Sequence, residues 1–362
     1  MGEDRKSVRI NRVLEKSSGL QSVIDQDLGF GNVFSDHMLV REWADNAWGD
    51  ATIRRRAALE VEPTALGIQY GQSVFEGLKA YRGTHDEVAR LFRPDRNAAR
   101  LEASCLRLCI PRLPAKEFID CITEIVSVES SWIPRYRGHA LYLRPLVFAN
   151  EGHLAVRPSS RYLFVITAAP VAPYFSSSTP GLRLKAEGRF TRAAMGGTGA
   201  AKTSGNYAPT LQPMAAASQD GFDQILWLDA QEHAFAEEAG QMNVFFRIGD
   251  EVVTPELSGT ILPGITRESV ITLLETWGIK TRSRRVSMRE LADASRSGEL
   301  LEIFGAGTAA VVAPVTSIRH LDEEISVAPQ AEESLAERLR ETLLGIQHGE
   351  IDDPYDWVVP VL

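Results

Sequence analysis

A glycine-rich stretch that carries one lysine constrains this 362-residue chain more than any other part of its sequence. It runs from Gly196 to Thr210 and places Lys202 among small residues, which let other groups approach closely. A lysine on a packed, water-poor surface loses its charge easily, because burial disfavours the ammonium and lowers its pKa. The neutral amine is the form that adds to an aldehyde to give a Schiff base. A solvated lysine in a flexible loop is the simpler alternative.

A phosphate-binding P-loop is a second alternative for the same residues. That motif reads Gly, four residues, then Gly-Lys-Ser/Thr. The segment from Gly196 to Thr203 differs from it at one position, where Ala201 replaces the second glycine. A P-loop also follows a buried strand directly, whereas the segment before this loop, 189–195, contains two arginines. A P-loop phosphate-binding module therefore stays as the alternative from another class of function.

Composition excludes several kinds of partner. Hydrophobic residues make up 44% of the chain and charged residues 24%, as in globular proteins. The net charge of −9 argues against a nucleic-acid surface, and no apolar run reaches the length of a membrane span. Cys105, Cys109 and Cys121 lack the spacing of a disulfide framework, so we expect buried thiols and a cytoplasmic protein. The histidines are scattered, so no metal site is expected.

A segment rich in proline and serine divides the sequence. Residues 171–181 have the composition of an exposed connector. We therefore predict an N-terminal α/β domain over 1–170, of which 1–30 is a polar lead-in, and a second domain over 182–362. Hydrophobic periodicity predicts the main elements of the first domain. These are a hairpin over about 36–56, helices over 94–109 and 116–132, and strands over 140–148 and 161–167.

The second domain has the pattern of a strand meander followed by helices. Short apolar runs predict strands over 224–229, 234–237, 242–247 and 251–254. Periodic segments predict helices over 266–277, 288–297 and 334–344, with strands at 282–286 and from Leu301 into a glycine turn. Glu238 falls at a break between two of the meander strands. Pro213 would kink the interior of any helix that follows Asn206.

A pyridoxal phosphate enzyme needs an amine, an acid for the pyridine nitrogen, a donor for the phenolic oxygen and a phosphate cradle. Lys202 offers the amine, and Tyr207 lies near it in sequence. A protonated ring nitrogen would compensate Glu238 in its apolar setting, although a solvated sheet-edge glutamate is the alternative. Free N–H groups at the helix entrance 264–266 and at the turn 305–308 could hold phosphate.

Several longer motifs resemble one family. The run Glu238-Ala-Gly-Gln-Met-Asn-Val-Phe, together with Leu262-Pro-Gly-Ile-Thr-Arg267, looks like the signature of class IV aminotransferases. Phe75-Glu-Gly-Leu-Lys-Ala, Leu141-Tyr-Leu-Arg-Pro and Phe304-Gly-Ala-Gly-Thr-Ala are similar to branched-chain amino acid aminotransferases. The match covers about residues 30–350.

The resemblance implies an α/β (α+β) architecture of fold type IV, with pyridoxal 5'-phosphate as cofactor. It implies a small N-terminal α/β domain and a larger β-rich domain, with the cofactor between them, in a homodimer. The implied reaction is transamination of leucine, isoleucine and valine with 2-oxoglutarate. A D-amino acid transaminase and an aminodeoxychorismate lyase share this fold and remain alternatives.

The resemblance also implies residue roles. Lys202 would be the Schiff-base lysine and proton shuttle, Glu238 the partner of the pyridine nitrogen and Tyr207 that of the phenolic oxygen. The residues implied to bind the phosphate are Arg100, Ile265, Thr266 and Thr308. Those implied to line the substrate site are Tyr70, Phe75, Tyr142, Arg144, Tyr174, Gln241, Thr308 and Ala309. Core packing remains the alternative for the aromatic residues, and Gln241 stands where the family usually has a smaller Thr or Gly.

Overall fold

The computed structural model describes residues 8–14, 18–23, 28–174, 181–327 and 334–361. Its α-helices are Leu66–Gln69 (α1), Pro94–Arg107 (α2), Ala115–Val128 (α3), Leu211–Gln219 (α4), Ile265–Thr276 (α5), Met288–Ser297 (α6) and Leu335–His348 (α7). Short 3₁₀ turns lie at Leu20–Val23, Ser130–Trp132, Ser204–Asn206 and Ala208–Thr210. Among these described residues, no helix has the length and apolarity needed to cross a lipid bilayer.

Strands account for most of the remaining structure. Those before residue 175 are Ile10–Val13 (β1), His37–Ala44 (β2), Ala47–Trp48 (β3), Ala51–Arg55 (β4), Ser73–Phe75 (β5), Leu78–Arg82 (β6), Ala89–Phe92 (β7), Ala140–Ala149 (β8) and Tyr162–Val171 (β9). Those after it are Leu182–Glu187 (β10), Gln224–Leu228 (β11), Ala236–Ala239 (β12), Met242–Ile248 (β13), Glu251–Thr254 (β14), Lys280–Ser283 (β15), Leu300–Gly307 (β16), Val311–His320 (β17), Glu323–Ser326 (β18) and Val358–Val361 (β19).

The chain separates into two contact units. Unit 1 comprises Met1–Tyr174, Ala201–Ser204 and Leu344–Leu362, and unit 2 comprises Phe175–Ala200 and Gly205–Leu343. Two segments of the predicted second domain, 201–204 and 344–362, are grouped with unit 1. Residues 201–204 belong to unit 1 because Lys202 O accepts a hydrogen bond from Phe75 N. The C-terminal residues belong to it because β19 pairs with β7.

Unit 1 is built on one mostly antiparallel sheet. Its strands follow the order β1-β4-β2-β9-β8-β6-β7-β19, with β3 paired to β2 and β5 paired to β8. The long apolar strands β8 and β9 pair along their full length, from Ala140↔Val171 to Ala149↔Tyr162. Strand β9 therefore runs beyond the predicted 161–167 into the start of the predicted connector. Residues 175–180 of that connector lie outside the described residues.

Helices α2 and α3 bury their apolar stripes in the core of unit 1. Phe118, Cys121, Ile122 and Ile125 of α3 are fully buried, as the predicted 3.6-residue period requires. Leu101 and Cys105 of α2 belong to the same core. Pro94 begins α2, where a missing N–H costs nothing. We expected all three cysteines to be buried, and Cys105 and Cys121 are. Cys109 is exposed, because it lies in the turn that follows α2, where its φ is 54°.

Unit 2 contains a closed sheet. The strand order β12-β11-β10-β17-β16-β13 returns on itself because β12 also pairs with β13. The remaining strands extend it: β14 and β15 continue from β13, and β18 pairs with β17. The meander predicted over 224–254 is confirmed by the antiparallel pairs β11–β12, β12–β13 and β13–β14. The aromatic core includes the stacked rings of Phe245 and Phe304, whose centroids are 5.1 Å apart.

Two local predictions for unit 2 are wrong. Helix α4 begins only at Leu211, so Pro213 lies in its first turn, where no intrahelical N–H bond is needed. The strand predicted at 282–286 is β15, which begins at Lys280 and ends at Ser283, since its register is set by pairing with β14. The helix predicted at 288–297 is confirmed as α6, with Ser287 as a side-chain N-cap and Gly298 in the left-handed conformation at its end.

Candidate active site

Lys202 is fixed to unit 1 through its backbone. Its N–H donates to Ser104 Oγ of α2 at 2.9 Å, and its carbonyl accepts from Phe75 N at 2.9 Å. The next residue continues this pairing, because Thr203 forms a β-bridge with Val74 and its hydroxyl donates to Ser73 O. The lysine loop therefore adds a short extended segment beside β5, although nearly 130 residues separate the two in sequence.

Aromatic and cationic side chains surround the lysine. Its Nζ lies 4.8 Å from the centroid of the Phe75 ring, and the guanidinium carbon of Arg144 lies 4.9 Å from the same centroid. Arg144 also donates to the Tyr142 hydroxyl at 3.0 Å. A Cβ at Gly77 would lie only 2.0 Å from that hydroxyl oxygen, so this position requires glycine. We call these four residues, Lys202, Phe75, Tyr142 and Arg144, the lysine site.

A buried acid–base pair lies beside the lysine site. Glu76 is fully buried and accepts two hydrogen bonds from Arg100, at 2.7 and 2.8 Å. Asn97 of the same helix donates to it at 2.7 Å. Burial alone would raise the pKa of the Glu76 carboxyl, but the charge and hydrogen bonds of Arg100 hold it below its ordinary value. Glu76 is therefore an anion close to Lys202.

The Lys202 amine is set up to lose its proton. Burial lowers its pKa to about 8, and the Arg100 charge acts in the same direction. The Glu76 carboxylate opposes this shift, so Arg100 and Glu76 change the pKa of Lys202 in opposite directions. A lysine of this kind provides a useful fraction of neutral amine near neutral pH, as attack on a carbonyl group requires.

Arg144 retains a donor for a ligand. Its Nε atom is buried and has no hydrogen-bond partner among the described residues. A buried N–H without a partner is costly, so such a group indicates a site that a ligand oxygen completes. A carboxylate is the chemical group that best matches a guanidinium edge.

Two further residues predicted to line the substrate site lie at the surface of unit 1. Tyr70 is 45% exposed, and its hydroxyl donates to Leu154 O at 2.5 Å. Tyr174 is 41% exposed and packs edge-on against Phe30 at 5.1 Å, and Phe30 in turn contacts Tyr142 at 4.8 Å. The described contacts thus connect Tyr174 to the lysine site through Phe30, and they do not bring Tyr70 to it.

Glu238 lies inside a strand of unit 2, and the prediction that it sits at a strand break is wrong. It belongs to β12, opposite Trp227 on one side and Asn243 on the other, and the turn comes only at Gly240. It is 4% exposed, which excludes the solvated sheet-edge alternative. Leu262 N donates to its Oε1 at 2.9 Å, and Arg192 Nε lies 2.9 Å from its Oε2.

The predicted phosphate-binding residues of unit 2 lie at chain turns and helix starts. Ile265 and Thr266 open α5, and Gly264 at its N-cap has no side chain to accept from the first-turn N–H groups. A Cβ at Gly264 would lie 1.9 Å from Asn243 Oδ1, so the helix start packs against Asn243, the residue opposite Glu238 on β13. Thr308 and Ala309 lie in the turn between β16 and β17. This turn begins at residue 308, whereas the predicted glycine turn begins at residue 305.

Gln241 and Tyr207 both lie in turns of unit 2. Gln241 follows Gly240 in the exposed turn between β12 and β13. Its carbonyl oxygen lies 3.7 Å from the position of a Cβ at Gly307, so it shares one end of the closed sheet with the 308–310 turn. Tyr207 is half-buried between two 3₁₀ turns, and its carbonyl accepts from Thr210. Their roles toward a ligand stay predictions.

The P-loop alternative does not fit this geometry. In a P-loop the lysine opens a helix whose N–H groups hold the phosphate. Here Lys202 pairs with β5 of unit 1, and the next α-helix begins nine residues later at Leu211. Gly199 serves packing instead, since a Cβ there would lie 2.3 Å from Thr260 O. No group of three or more potential metal ligands occurs in the described part of the chain.

Glu76 and Arg192 are not among the residues that sequence patterns pointed to. Glu76 is the only charged residue in the run from Ser73 to Leu78, and a charge inside such an apolar run is a usable signal for a buried functional group. Arg192 lies in an irregular segment 46 residues before Glu238, and local sequence patterns carry no information about that pairing.

Comparison with known proteins gives consistent matches. A family model described as "Amino-transferase class IV" matches residues 73–318. The chain is 44% identical over 336 residues to branched-chain-amino-acid transaminase 1 of Bacillus subtilis, covering 92% of this chain and 94% of that one. It is 40% identical to the branched-chain-amino-acid aminotransferase of Mycolicibacterium smegmatis, with 91% of each chain covered. The fold matches the branched-chain amino acid aminotransferase of Thermobaculum terrenum, solved in its PLP-form, with a TM-score of 0.70 at 23% identity, covering 89% of this chain and 98% of that one.

Proposed function

Since the chain belongs to the class IV aminotransferases, and among them to the branched-chain-amino-acid aminotransferases, we propose that it transfers the amino group of leucine, isoleucine and valine to 2-oxoglutarate. The products are branched 2-oxo acids and L-glutamate. The fold type IV architecture implied by the sequence motifs is confirmed by the structural match. The cofactor is pyridoxal 5'-phosphate, which when bound supplies the aldehyde that takes up the amino group and the ring that accepts electrons.

The observation that carries the proposal is the lysine site. Its amine has a pKa of about 8, and the Phe75 and Tyr142 rings beside it suit an apolar side chain. The unpaired Nε of Arg144 offers one cation for a carboxylate, which glutamate needs in the second half of the reaction. We infer that the site takes both the branched-chain donor and the dicarboxylate acceptor.

We propose the following roles toward the cofactor, residue by residue. Lys202 would hold the aldehyde carbon and then carry the proton between the two carbons involved, at its Nζ atom. Glu238 would keep the pyridine nitrogen protonated, and Tyr207 would donate to the phenolic oxygen. The uncapped first turn of α5 and the 308–310 turn offer backbone N–H groups for the phosphate.

Arg100, which is predicted to bind the cofactor phosphate, already has a carboxylate partner in the structure. It already donates two hydrogen bonds to Glu76. A guanidinium has five N–H donors, so it can hold the carboxylate and a phosphate together. We propose that Glu76 orients Arg100 for this contact.

The pH dependence of cofactor capture tests the assignment of Lys202. Since only the neutral amine adds to the aldehyde, capture by the cofactor-free chain should quicken as the pH rises to about 8 and then level off. An ordinary lysine would continue to gain reactivity up to about pH 10. The measurement is the stopped-flow rate of pyridoxal phosphate binding across this range. The Glu76→Gln variant, which lacks the anion that raises this pKa, should level off at a lower pH; a profile that keeps rising would contradict the assignment.

A panel of amino-acid donors with 2-oxoglutarate tests the substrate class. An apolar site separates donors that differ by one methylene by only about 1–3 kcal/mol, so leucine, isoleucine and valine should all react. Gln241 lies in an exposed turn, so its amide needs no buried partner, and Gln241→Thr should change the relative rates less than about threefold. A large shift in preference would show that Gln241 shapes the site. Activity confined to D-amino acids would support the D-amino acid transaminase alternative.

We further propose that the chain is a homodimer and works in the cytoplasm. Support for the dimer comes from large apolar side chains exposed near Tyr70 in unit 1, namely Ile68, Leu154 and Val156, which are 60%, 69% and 81% exposed. Light scattering should give twice the mass of one chain, and Val156→Glu should shift it toward the monomer. A monomeric mass at assay concentrations would contradict the dimer.

Support for the cytoplasm comes from three free cysteines.

A further inference from the structure

Strand β12 carries two consecutive buried carboxyl groups. Glu237 and Glu238 are 6% and 4% exposed. The guanidinium of Arg192 lies against Glu238, with its Nε 2.9 Å from Glu238 Oε2, and its charge also acts on Glu237. The Nε contact is a close ion pair rather than an aligned hydrogen bond. One guanidinium compensates one carboxylate, so the second carboxyl must be neutral or find another cation.

The surroundings of Glu237 favour its neutral form. Thr260 Oγ1 donates to Glu237 Oε1 at 2.5 Å, whereas Glu237 Oε2 is buried with no hydrogen-bond partner in the described part of the chain. Burial raises the pKa of Glu237, and the charges of Glu238 and Asp229 add to this against the opposing effect of Arg192. Asp229 itself stays ionised, because four backbone N–H groups of residues 231–235 donate to it.

Thr260 links Glu237 to the arginine. The Arg192 Nη2 atom donates to Thr260 O, while the hydroxyl of the same threonine donates to Glu237. The loop before Lys202 packs onto this point, since Gly199 approaches the Thr260 backbone too closely for any Cβ. Arg192 is therefore held beside Glu238 by a main-chain contact to Thr260 that does not depend on the charge of either carboxyl group.

We propose that Glu237 is a positioning residue that becomes the counter-charge of Arg192 when the cofactor binds. This inference rests on the proposed function. Before binding, the ring nitrogen carries no proton. At Glu238 it would take the proton that Glu237 gives up, so that one positive charge and one new carboxylate appear in the cluster together. Two carboxylates then balance two cations, and Arg192 does not compete with the ring for Glu238.

The test is a binding experiment with two ligands and the Glu237→Gln variant. The ligands are pyridoxal phosphate and its 1-deaza analogue, in which a C–H group replaces the ring nitrogen. The variant should bind pyridoxal phosphate about tenfold more weakly than the parent, the effect of about one pKa unit in a buried charge pair. It should bind the analogue within about twofold of the parent, because no second charge enters the cluster. Its unfolding temperature without cofactor should be unchanged, since in the proposal glutamine replaces a carboxyl group that is neutral until the cofactor binds.

Two results would overturn the inference. Equal weakening for both ligands would show that Glu237 only supports the fold, and unchanged affinity for both would show that it has no part in binding. Failure of the parent chain to bind pyridoxal phosphate would instead contradict the proposed function. Binding of pyridoxal phosphate by the parent chain therefore distinguishes failure of this inference from failure of the proposed function.

A second measurement serves if the variant does not fold. Calorimetry in buffers of different ionisation enthalpy counts the protons taken up when the parent binds each ligand, at a pH where the free ring is unprotonated. The count for pyridoxal phosphate minus that for the analogue should be near zero if Glu237 supplies the ring proton. A difference near one would mean that the proton comes from solvent, and the inference would fail.

Discussion

The Lys202→Ala variant should lose transamination by at least about 10⁴-fold, because both addition to the aldehyde and the proton transfer depend on this one amine. The variant should still fold. Lys202 is anchored through its backbone N–H and carbonyl, to Ser104 and Phe75, and alanine keeps both contacts. The measurement is L-glutamate formation from leucine and 2-oxoglutarate with excess cofactor.

A matched control comes from an exposed lysine. The Lys116 side chain is 56% exposed and forms an ion pair with Asp120 on the surface of α3, so Lys116→Ala should retain parental turnover. Parental turnover in the Lys202→Ala variant would end the assignment of Lys202. Added methylamine, which can replace the missing proton carrier in solution, should restore a small part of the rate.

The Glu238→Gln and Arg100→Ala variants should fail in different ways. At saturating cofactor, Glu238→Gln should turn over about 100-fold more slowly, since the ring nitrogen loses the charge that holds its proton. Arg100→Ala should bind cofactor about 10- to 100-fold more weakly, through lost charge-assisted contacts to the phosphate, with a smaller effect on the saturated rate. The measurements are cofactor dissociation constants and the rate at saturating cofactor.

Arg100→Ala should also destabilise unit 1. Removing it leaves the buried Glu76 carboxylate without its cation, and breaking such a pair costs about 3–5 kcal/mol. Arg107→Ala, on the exposed side of the same helix, is the control for loss of an arginine from α2. Identical profiles for the Glu238 and Arg100 variants would refute the division of roles between them.

The sequence predicts those features of this fold that depend on local pattern. Helix α6 agrees residue for residue with its prediction, because a serine N-cap and a glycine C-cap bound a clear apolar stripe. The meander of unit 2 is predicted because short polar turns separate its apolar runs. Motif resemblance predicted site roles for Lys202, Phe75, Tyr142 and Arg144, and the structure brings these four side chains together.

Features that depend on distant pairing could not be predicted in this way. The lysine loop joins unit 1 through hydrogen bonds to Phe75 and Ser104, so the boundary of the units cannot be read from composition. The pairs Glu76–Arg100 and Glu238–Arg192 bring charges together across 24 and 46 residues. Their stability comes from burial of both partners, which only the three-dimensional packing reveals.

The most direct test of the central claim is one half of the reaction measured alone. The chain is loaded with pyridoxal phosphate, freed of excess cofactor and mixed with L-leucine in the absence of any acceptor. We expect loss of the visible absorption of the bound cofactor and formation of one equivalent of the branched 2-oxo acid per chain. Addition of 2-oxoglutarate should then restore the absorption and yield L-glutamate. No retained cofactor, no 2-oxo acid, or continuous 2-oxo acid formation without an acceptor would contradict it.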